Sequence, residues 1–509
     1  MGWSSDFVAA LTASSITPIY ELEIVRSTRG VGSPATLFTH RGSLRVTRAS
    51  VQGTQVIPHR WSVSFGGFEV ELVGDILQYT QSLMRGCIAF LSVELRGLTG
   101  KELIAIGQLD QIRGQRGVYR ATFKDILSAF QSRIDSRILS GRDYSKLFFD
   151  TDVETTAAHA WNNHSYLEVV DGSAFTKSSS HRGLLYCIPT SGDPFYLGWD
   201  SYDPSTQRFA LSSTTGVHPT LGSSTTLQNG NKIKNAVRIA AAPHAIFAQI
   251  VTSTGAGTNG PNDVLPNSYG TGVPLPHSFF DAADAQSTNT YITNASGGPY
   301  GLDFSAIAPL DNGLRSIADI FSTVGQWPVM RQNSFSWRGC FDPTGRFGRQ
   351  PATAAHITDV DIIELDDVDF FDPNLKATFM RTSMIYNTSG LSTVRSNSFT
   401  KSLPTNGSID RDFGFYYNPS FDEQSMGQAD RDRMAIWDFY NWSRISMRVS
   451  LKFAVLCAGD KVEVSSRFIV DPYTQPDRTF IRRPAMVLEI GYNLNDRTCD
   501  LVIGVPPLF

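Results

Sequence analysis

Between residues 18 and 96 the apolar positions recur at every second residue: Tyr20, Leu22 and Ile24; Leu44 and Val46; Trp61, Val63 and Phe65; Phe68, Val70 and Leu72; Ala89, Leu91, Val93 and Leu95. A period of two puts all of these on one face of an extended chain, which predicts half-buried antiparallel strands. A short helical segment is expected at 78–84. The strand expected at 118–123 runs into a helical segment at 125–134, where Ile126, Leu127 and Phe130 share a face. A first β-barrel-like unit over 1–140 follows from this pattern.

The stretch 170–235 breaks the rhythm with Ser, Thr, Gly and Asn, and carries isolated aromatic strands such as PFYLGWDSY at 194–202. It predicts an irregular β-rich insertion over 141–240. Helical spacing returns at 245–251 and, more strongly, at 314–324, where Leu314, Ile317, Ala318, Phe321 and Val324 share a face and Gly325 ends the run. These define a helix and glycine-rich connection over 241–310 and a helix plus β-hairpin unit over 311–400. In the last unit, 401–509, ISMRVSLKFAVL (445–456) alternates without error and predicts one long strand, turned by CAGD and answered by KVEVSS. AMVLEIGYNL (485–494) then sets Met486, Leu488, Ile490 and Tyr492 on one side, turns at Asn495 and Asp496, and returns through Cys499, Leu501 and Ile503. The fold class expected is mainly β with a few short helices, in several domains, two of them β-barrel-like.

Composition sharpens this picture. A chain of 509 residues is too long for one core and predicts about three or four domains. Hydrophobic residues make up 41% and charged residues 18%, alongside 42 Gly and 25 Pro, a balance that favours short strands and many turns. A net charge of −4 supplies no general field for nucleic acid or anionic membrane. The five cysteines, Cys87, Cys187, Cys340, Cys457 and Cys499, are far apart and form no C-x-x-C, so reduced thiols are expected rather than a disulfide framework or a zinc ribbon. MGWSSDFVAALTASS has no basic lead or long apolar core, which predicts a soluble chain that takes no secretory route.

Gly255-Ala256-Gly257-Thr258-Asn259-Gly260 is a literal G-x-G-x-x-G. The dinucleotide reading of that pattern needs a strand before it and a helix after it, because the pyrophosphate sits on the helix N-terminal amides. Here the preceding apolar residues have helical spacing, Pro261 follows the last glycine, and Pro266, Pro274 and Pro276 prevent a helix beyond. Gly255, Gly257, Gly260 and Pro261 therefore read as a structural loop, with the glycines permitting positive-φ turns. No P-loop, G-x-S-x-G elbow or H-E-x-x-H is present. His159 and His164, with His181, have no zinc-ligand spacing.

The segment DVDIIELDDVDFFDPN carries seven carboxylates: Asp359, Asp361, Glu364, Asp366, Asp367, Asp369 and Asp372. It lacks the glycine and final glutamate of a calcium loop. A glycosidase pair stays open, because carboxyl separation is invisible in sequence. A solvated acidic strand, or a face lining a channel or an interface and repelling DNA, is the third reading.

Several segments together resemble the tail hub proteins of tailed bacteriophages. QIVTSTGAGTNGPNDVLPNSYGTGVP is similar to a helix, glycine loop and DVLP signature of these hubs. LRSIADIFSTVGQWPVMRQNSFSWRG resembles their helix-then-hairpin unit, ITDVDIIELDDVDFFDPN the segment after it, and LKFAVLCAGDKVEVSS their strand-GD-strand turn. The resemblance spans about residues 240–509, extends more loosely over the first 140, and is weakest at 145–235.

It implies a structural virion protein with no enzyme activity, cofactor or metal. The family's fold implies a homotrimeric ring at the tail tip, with two barrel-like domains per chain giving a pseudo-sixfold ring. Its implied partners are the distal tail or tail tube protein, the tape measure protein and spike or tail fibre proteins. Genomic DNA would pass through without specific binding, no membrane would be entered, and assembly would take place in the host cytoplasm. Two other classes of function remain open from the residues: a tail-associated glycan hydrolase using carboxylates such as Asp366 and Asp369, and a receptor or carbohydrate-binding module with Trp199 as its platform.

Overall fold

The computed structural model describes residues 3–13, 15–26, 35–41, 44–48, 51–52, 54–57, 62–65, 67–73, 87–115, 117–125, 153–162, 164–175, 183–191, 195–211, 226–244, 280–292, 302–306, 326–332, 334–339, 341, 343–345, 349–369, 379–386, 393–400, 408–416, 442–471 and 479–506. Within them the chain is mainly β, with several sheets and short helices, as the periodicity predicts. The helical segments expected at 78–84, 245–251 and 314–324, and all but Asp125 of that at 125–134, lie outside the described residues.

The N-terminal sheet has seven strands in the order Ala35–Arg41, Pro18–Arg26, Ile88–Leu95, Glu102–Gln115, Val118–Asp125, Phe68–Val73 and Leu44–Arg48. Its first and last members are neighbours in sequence, separated only by residues 42 and 43. Three extended peptide units reach about 10 Å, so the two ends of the ladder come back toward each other and the sheet is curled. The C-terminal sheet repeats the arrangement in the order Thr353–Thr358, Lys461–Val470, Thr479–Asn493, Thr498–Val505, Ser443–Ser450 and Ile362–Asp369. Residues 359–361 alone join its ends, with the Asp361 N–H donating to the Thr358 carbonyl at 2.8 Å. Among the described residues neither curl closes by hydrogen bonds into a barrel.

Alternation decides which face goes inward. Of the positions predicted from the period of two, Tyr20, Leu22, Ile24, Phe68, Val70, Leu72, Ala89, Leu91, Val93 and Leu95 are buried, while Trp61 and the side chains of Leu44, Val46, Val63 and Phe65 lie outside what is described. Where prediction and structure differ, the cause is a local change in the ladder. ISMRVSLKFAVL is not one strand: it is extended only to Ser450, and Leu451–Val455 is a 3-10 helix. Its partner strand begins at Thr498, opposite Ser450, and the chain before that is already turning, so the ladder ends with the Leu451 N–H donating to the Arg497 carbonyl at 3.2 Å. Leu451, Phe453 and Ala454 are buried all the same.

The side expected for Met486, Leu488, Ile490 and Tyr492 also splits. The register shifts between Val487 and Glu489, placing an extra residue in the strand, and an extra residue reverses the facing of everything beyond it. Ala485 and Val487 before the shift therefore share a core with Ile490, Tyr492 and Leu494 after it.

The two terminal sheets do not keep separate cores. One continuous apolar cluster runs from Trp3, Phe7 and Leu11 through the N-terminal sheet to Ile445, Val487, Tyr492 and Ile503. The short helix Ser5–Leu11 is capped by Ser4, whose hydroxyl accepts from the Phe7 N–H. It buries Phe7 and Leu11 at the seam. The Trp3 ring meets Tyr492 edge-on at 5.5 Å, and its Nε1–H donates to the Leu103 carbonyl at 2.9 Å. The Tyr492 hydroxyl donates to the Ile104 carbonyl at 2.7 Å, and the Tyr20 hydroxyl reaches Asn495 at 3.0 Å. Backbone also crosses the seam, since Val51–Gln52 pairs antiparallel with Gly491 and Tyr492.

A third sheet runs in the order Glu154–Thr156, Lys232–Ala241, Gly183–Ile188, Phe195–Asp203, Arg208–Leu211 and Tyr166–Glu168, with Leu302–Ala306 also pairing with Lys232–Ala241. Its end strands are tied by an Ala157–Val169 bridge, flanked by bonds from Ala158 N–H to Glu168 and from Val170 N–H to Thr156, both 3.0 Å. It encloses its own core around Trp161, Phe195, Trp199 and Phe209.

The seam predicts a specific mutational effect. Trp3→Ala should lower unfolding free energy by about 3–5 kcal/mol, measured by urea titration. Tyr492→Phe should lower it by about 1 kcal/mol. A Trp3→Ala effect below about 1 kcal/mol would mean that the N-terminal segment is an accessory strap rather than part of the core.

Candidate interaction surfaces

The acidic segment forms the turn after Thr353–Thr358 and the edge strand Ile362–Asp369. Simple alternation would drive half its carboxylates inward, and two register shifts prevent this. Ile362 opposes Val449, Glu364 opposes Arg448, Leu365 opposes Met447, Asp367 opposes Ser446 and Val368 opposes Ile445, leaving Ile363 and Asp366 as extra residues. Ile362, Leu365 and Val368 accordingly pack on the core, while Glu364, Asp366 and Asp367 are exposed. A bulged, charged edge resists pairing with another strand. Asp369 ends the strand, and Asp372 lies outside the described residues.

The described carboxylates of this segment thus sit in different environments. Asp361 is buried and structural: it accepts from the Thr358 N–H at 3.0 Å and hydroxyl at 2.8 Å and pairs with Lys452. Burial alone would raise its carboxyl, but the bonds from Lys452 and Thr358 outweigh it and hold the group below the ordinary carboxylate range. Asp359 accepts from the Arg467 N–H at 3.2 Å and lies 3.4 Å from its guanidinium. Arg448 is shared between Glu364 at 2.6 Å and Asp500 at 3.1 Å. Asp366 is raised above its ordinary value, first by partial loss of water, then by Glu364, against the lowering effect of Arg448, with Asp500 adding a smaller raising effect.

A second constellation escaped the sequence reading. The hairpin Gln326–Arg331 and Ser334–Gly339 buries every residue of its second strand, including Arg338. The Arg338 Nη1 donates to Asp284 at 2.7 Å, on the helix Ala282–Ser287, and its Nε donates to Asp460 at 2.8 Å, in the CAGD turn. Asp460 also accepts from the Cys457 N–H at 2.9 Å. Arg331 and Ser336 complete the shell of Asp284. Gly459 is required at this contact: its φ is +91°, and an added Cβ would lie 2.7 Å from the Arg338 Cβ. An arginine directly after Phe335 and Trp337 in a hairpin strand was the available signal, because a buried guanidinium demands carboxylates. Three segments far apart in sequence, the 282–287 helix, the hairpin and the CAGD turn, are locked together by one side chain.

Among the described residues the other predicted positions do not come together at one site. Gly255, Gly257, Gly260 and Pro261 lie outside the described residues, as do His181 and Cys340. His159 lies 3.2 Å from Glu168, whereas the His164 ring stacks on Tyr166. Among the described residues no group of three or more His, Cys, Asp or Glu could hold a metal ion. Cys87, Cys187, Cys457 and Cys499 are buried and form no disulfide, and burial pushes the last three thiols up, away from the reactive thiolate. Trp199 is 3% exposed in the core of the middle sheet, so its ring offers no platform to a sugar. No described helix is long and apolar enough to cross a membrane.

Neither a protein-family model nor a curated protein sequence matches the chain. Among solved structures, it is similar to the 43 kDa tail protein of prophage MuSo2 from Shewanella oneidensis, at 8% identity over 96% of this chain and 98% of that one, with a TM-score of 0.37. It is also similar to prophage tail protein gp18 from Listeria monocytogenes EGD-e, at 9% identity over 96% and 94%, with a TM-score of 0.32. A chain of the native gene transfer agent virion matches 46% of this chain and 84% of its own length at 12% identity, with a TM-score of 0.19.

The Arg338 clamp predicts that Arg338→Met, which strands two carboxylates, destabilises the protein by about 3–5 kcal/mol at pH 7. Asp284 is affected first by burial, which raises it, but Arg338 and its other partners bring it below the ordinary value. A depressed folded-state pKa stabilises above the unfolded value of about 3.9 and loses that contribution as pH falls. In Arg338→Met the buried carboxyl no longer has that support, so the stability gap to the parent should narrow between pH 7 and pH 4. Equal loss at both pH values in urea titrations would contradict the charge assignment.

Proposed function

We propose that this chain is a structural component of a bacteriophage tail, and within it the hub: a homotrimeric ring at the distal end. That ring would join the tail tube to the central spike or fibre and surround the DNA exit channel. The observation that carries this reading is the pairing of two curled sheets on one core. Two such units per chain let three chains present six similar units to a sixfold tube while keeping threefold symmetry for a spike. The segments that resemble hub proteins add support, since the hairpin and the CAGD turn meet at Arg338 and Asp460 although 122 residues apart. The acidic strand belongs to the same C-terminal sheet.

The partners of this reading are the distal tail or tail tube protein, the tape measure protein and spike or tail fibre proteins. The chain would sit at the virion tail tip after assembly in the host cytoplasm, with DNA passing through unbound. Its role is mechanical and needs no catalyst.

Negative-stain electron microscopy of the purified chain and of tails labelled with an antibody to it tests the reading. A threefold ring with a central hole of tube width, and label at the tail tip, is expected. A monomer that labels no tail would overturn it.

A further inference from the structure

The two terminal sheets are copies of one strand plan. Across the C-terminal sheet the strands lie first, fourth, fifth, sixth, third and second in chain order, and the N-terminal sheet has the same sequence once Pro18–Arg26 is set aside. The bulges coincide as well. Glu102–Gln115 gains a residue where its partner passes from Thr122 to Phe123, and Thr479–Asn493 gains one where its partner passes from Val502 to Ile503. At the other end of these long strands, Ile104 is the extra residue against the step from Leu91 to Ser92. Ile481 and Arg482, the latter at φ +47°, stand together against the single Ser465 between Val464 and Ser466. The duplication therefore sets Ile481 and Arg482 where the N-terminal sheet has Ile104. It also sets Gly114, opposite Tyr119, where the C-terminal sheet has Tyr492, opposite Cys499.

The seam within the chain joins one site of each kind. The Ile104 bulge of the N-terminal sheet receives the Tyr492 hydroxyl at 2.7 Å, beside the hairpin end where Tyr20 meets Asn495. Each sheet thus has one site engaged and one left over. The two left over are the bulge of the C-terminal sheet and the hairpin end of the N-terminal sheet, where Val118 pairs with Gln115 and Val73. Apart from the middle sheet and the acidic segment, the exposed large apolar side chains among the described residues gather at these two places. Phe468, Val470 and Ile481 lie at the bulge, and Val73 and Val118 at the hairpin end, with Ile481 80% and Val118 44% exposed. Arg467 and Arg482 are paired inside the chain with Asp359 and Glu463, so the bulge offers apolar surface rather than free charge.

We propose that the bulge at Ile481 and Arg482 docks the Val73 and Val118 hairpin end of a second copy of the chain, repeating between copies the contact that the seam makes within one. The duplication selects this occupant: the seam shows which surface sits on such a bulge, and the N-terminal sheet carries its counterpart unengaged. The two leftover sites do not meet within the chain, since Ile481, Phe468, Val73 and Val118 all stay exposed. The contact is completed only through another copy. It is head-to-tail, so it closes into a ring when the rotation permits. With Gly114 in the place of Tyr492, it lacks the tyrosine anchor of the seam and rests on apolar burial.

This assignment rests on the ring reading of the function, and mixing variants separates the two. The full chain would be measured by sedimentation velocity at micromolar concentration as the parent, as Ile481→Asp, as Val118→Asp and as an equimolar mixture of the two variants. Circular dichroism confirms the fold, and Val73→Asp replaces Val118→Asp should the latter not fold. Each variant alone should associate at least about tenfold more weakly than the parent. In the mixture the intact bulge of Val118→Asp meets the intact hairpin end of Ile481→Asp, so dimers should form and rings should not. A ring that persists in either variant, or a mixture without dimers, would overturn this pairing of surfaces and leave the hub reading standing. A parent that is monomeric throughout would overturn both readings.

Discussion

The seam between the first dozen residues and the last twenty described holds the architecture together. Trp3 and Tyr492 meet edge-on, and each anchors its polar tip on a carbonyl of the same strand, at Leu103 and Ile104. A tyrosine hydroxyl or indole N–H buried without a partner would cost free energy, so these bonds fix how the two sheets approach. Val51–Gln52 adds backbone pairing across the same seam. Curled sheets that would otherwise be two domains are thereby made into one unit, and the middle sheet has a core of its own.

Bulges are the second recurring device. The shift near Leu488 lets a strand buried on both faces feed two environments, with Val487 and Ile490 inward on either side of it. The two shifts in the acidic strand keep adjacent aspartates out of the core. The extra pair at Ile481 and Arg482 exposes a strained, apolar and cationic corner. In each case one or two surplus residues convert a uniform alternation into a chosen set of inward and outward side chains.

This explains what could be read from the chain beforehand. The N-terminal strands were legible because Leu22, Val70 and Leu91 obey a strict period with their partners in register. Ile445, Met447 and Val449 were legible for the same reason. Residues 451–455 continue the alternation in sequence yet form a 3-10 helix, because a ladder depends on a partner that sequence periodicity does not report. Trp199 looked like a surface aromatic in a polar stretch, but its strand closes a small core. The acidic run was visible as composition. Its division into a buried Asp361, a paired Glu364 and an exposed Asp366 depended on Lys452, Arg448 and Asp500, which arrive from elsewhere in the fold. Arg338 needed the same long-range information, since its two carboxylates lie 54 and 122 residues away.

The central claim is that the N- and C-terminal sheets share one cooperative core. Native-state hydrogen exchange in increasing denaturant, read by mass spectrometry on peptides covering 88–95 and 498–505, addresses it directly. The account predicts one common opening free energy and a common denaturant dependence for both peptides. Separate openings, with one sheet exchanging fully while the other stays protected, would contradict it.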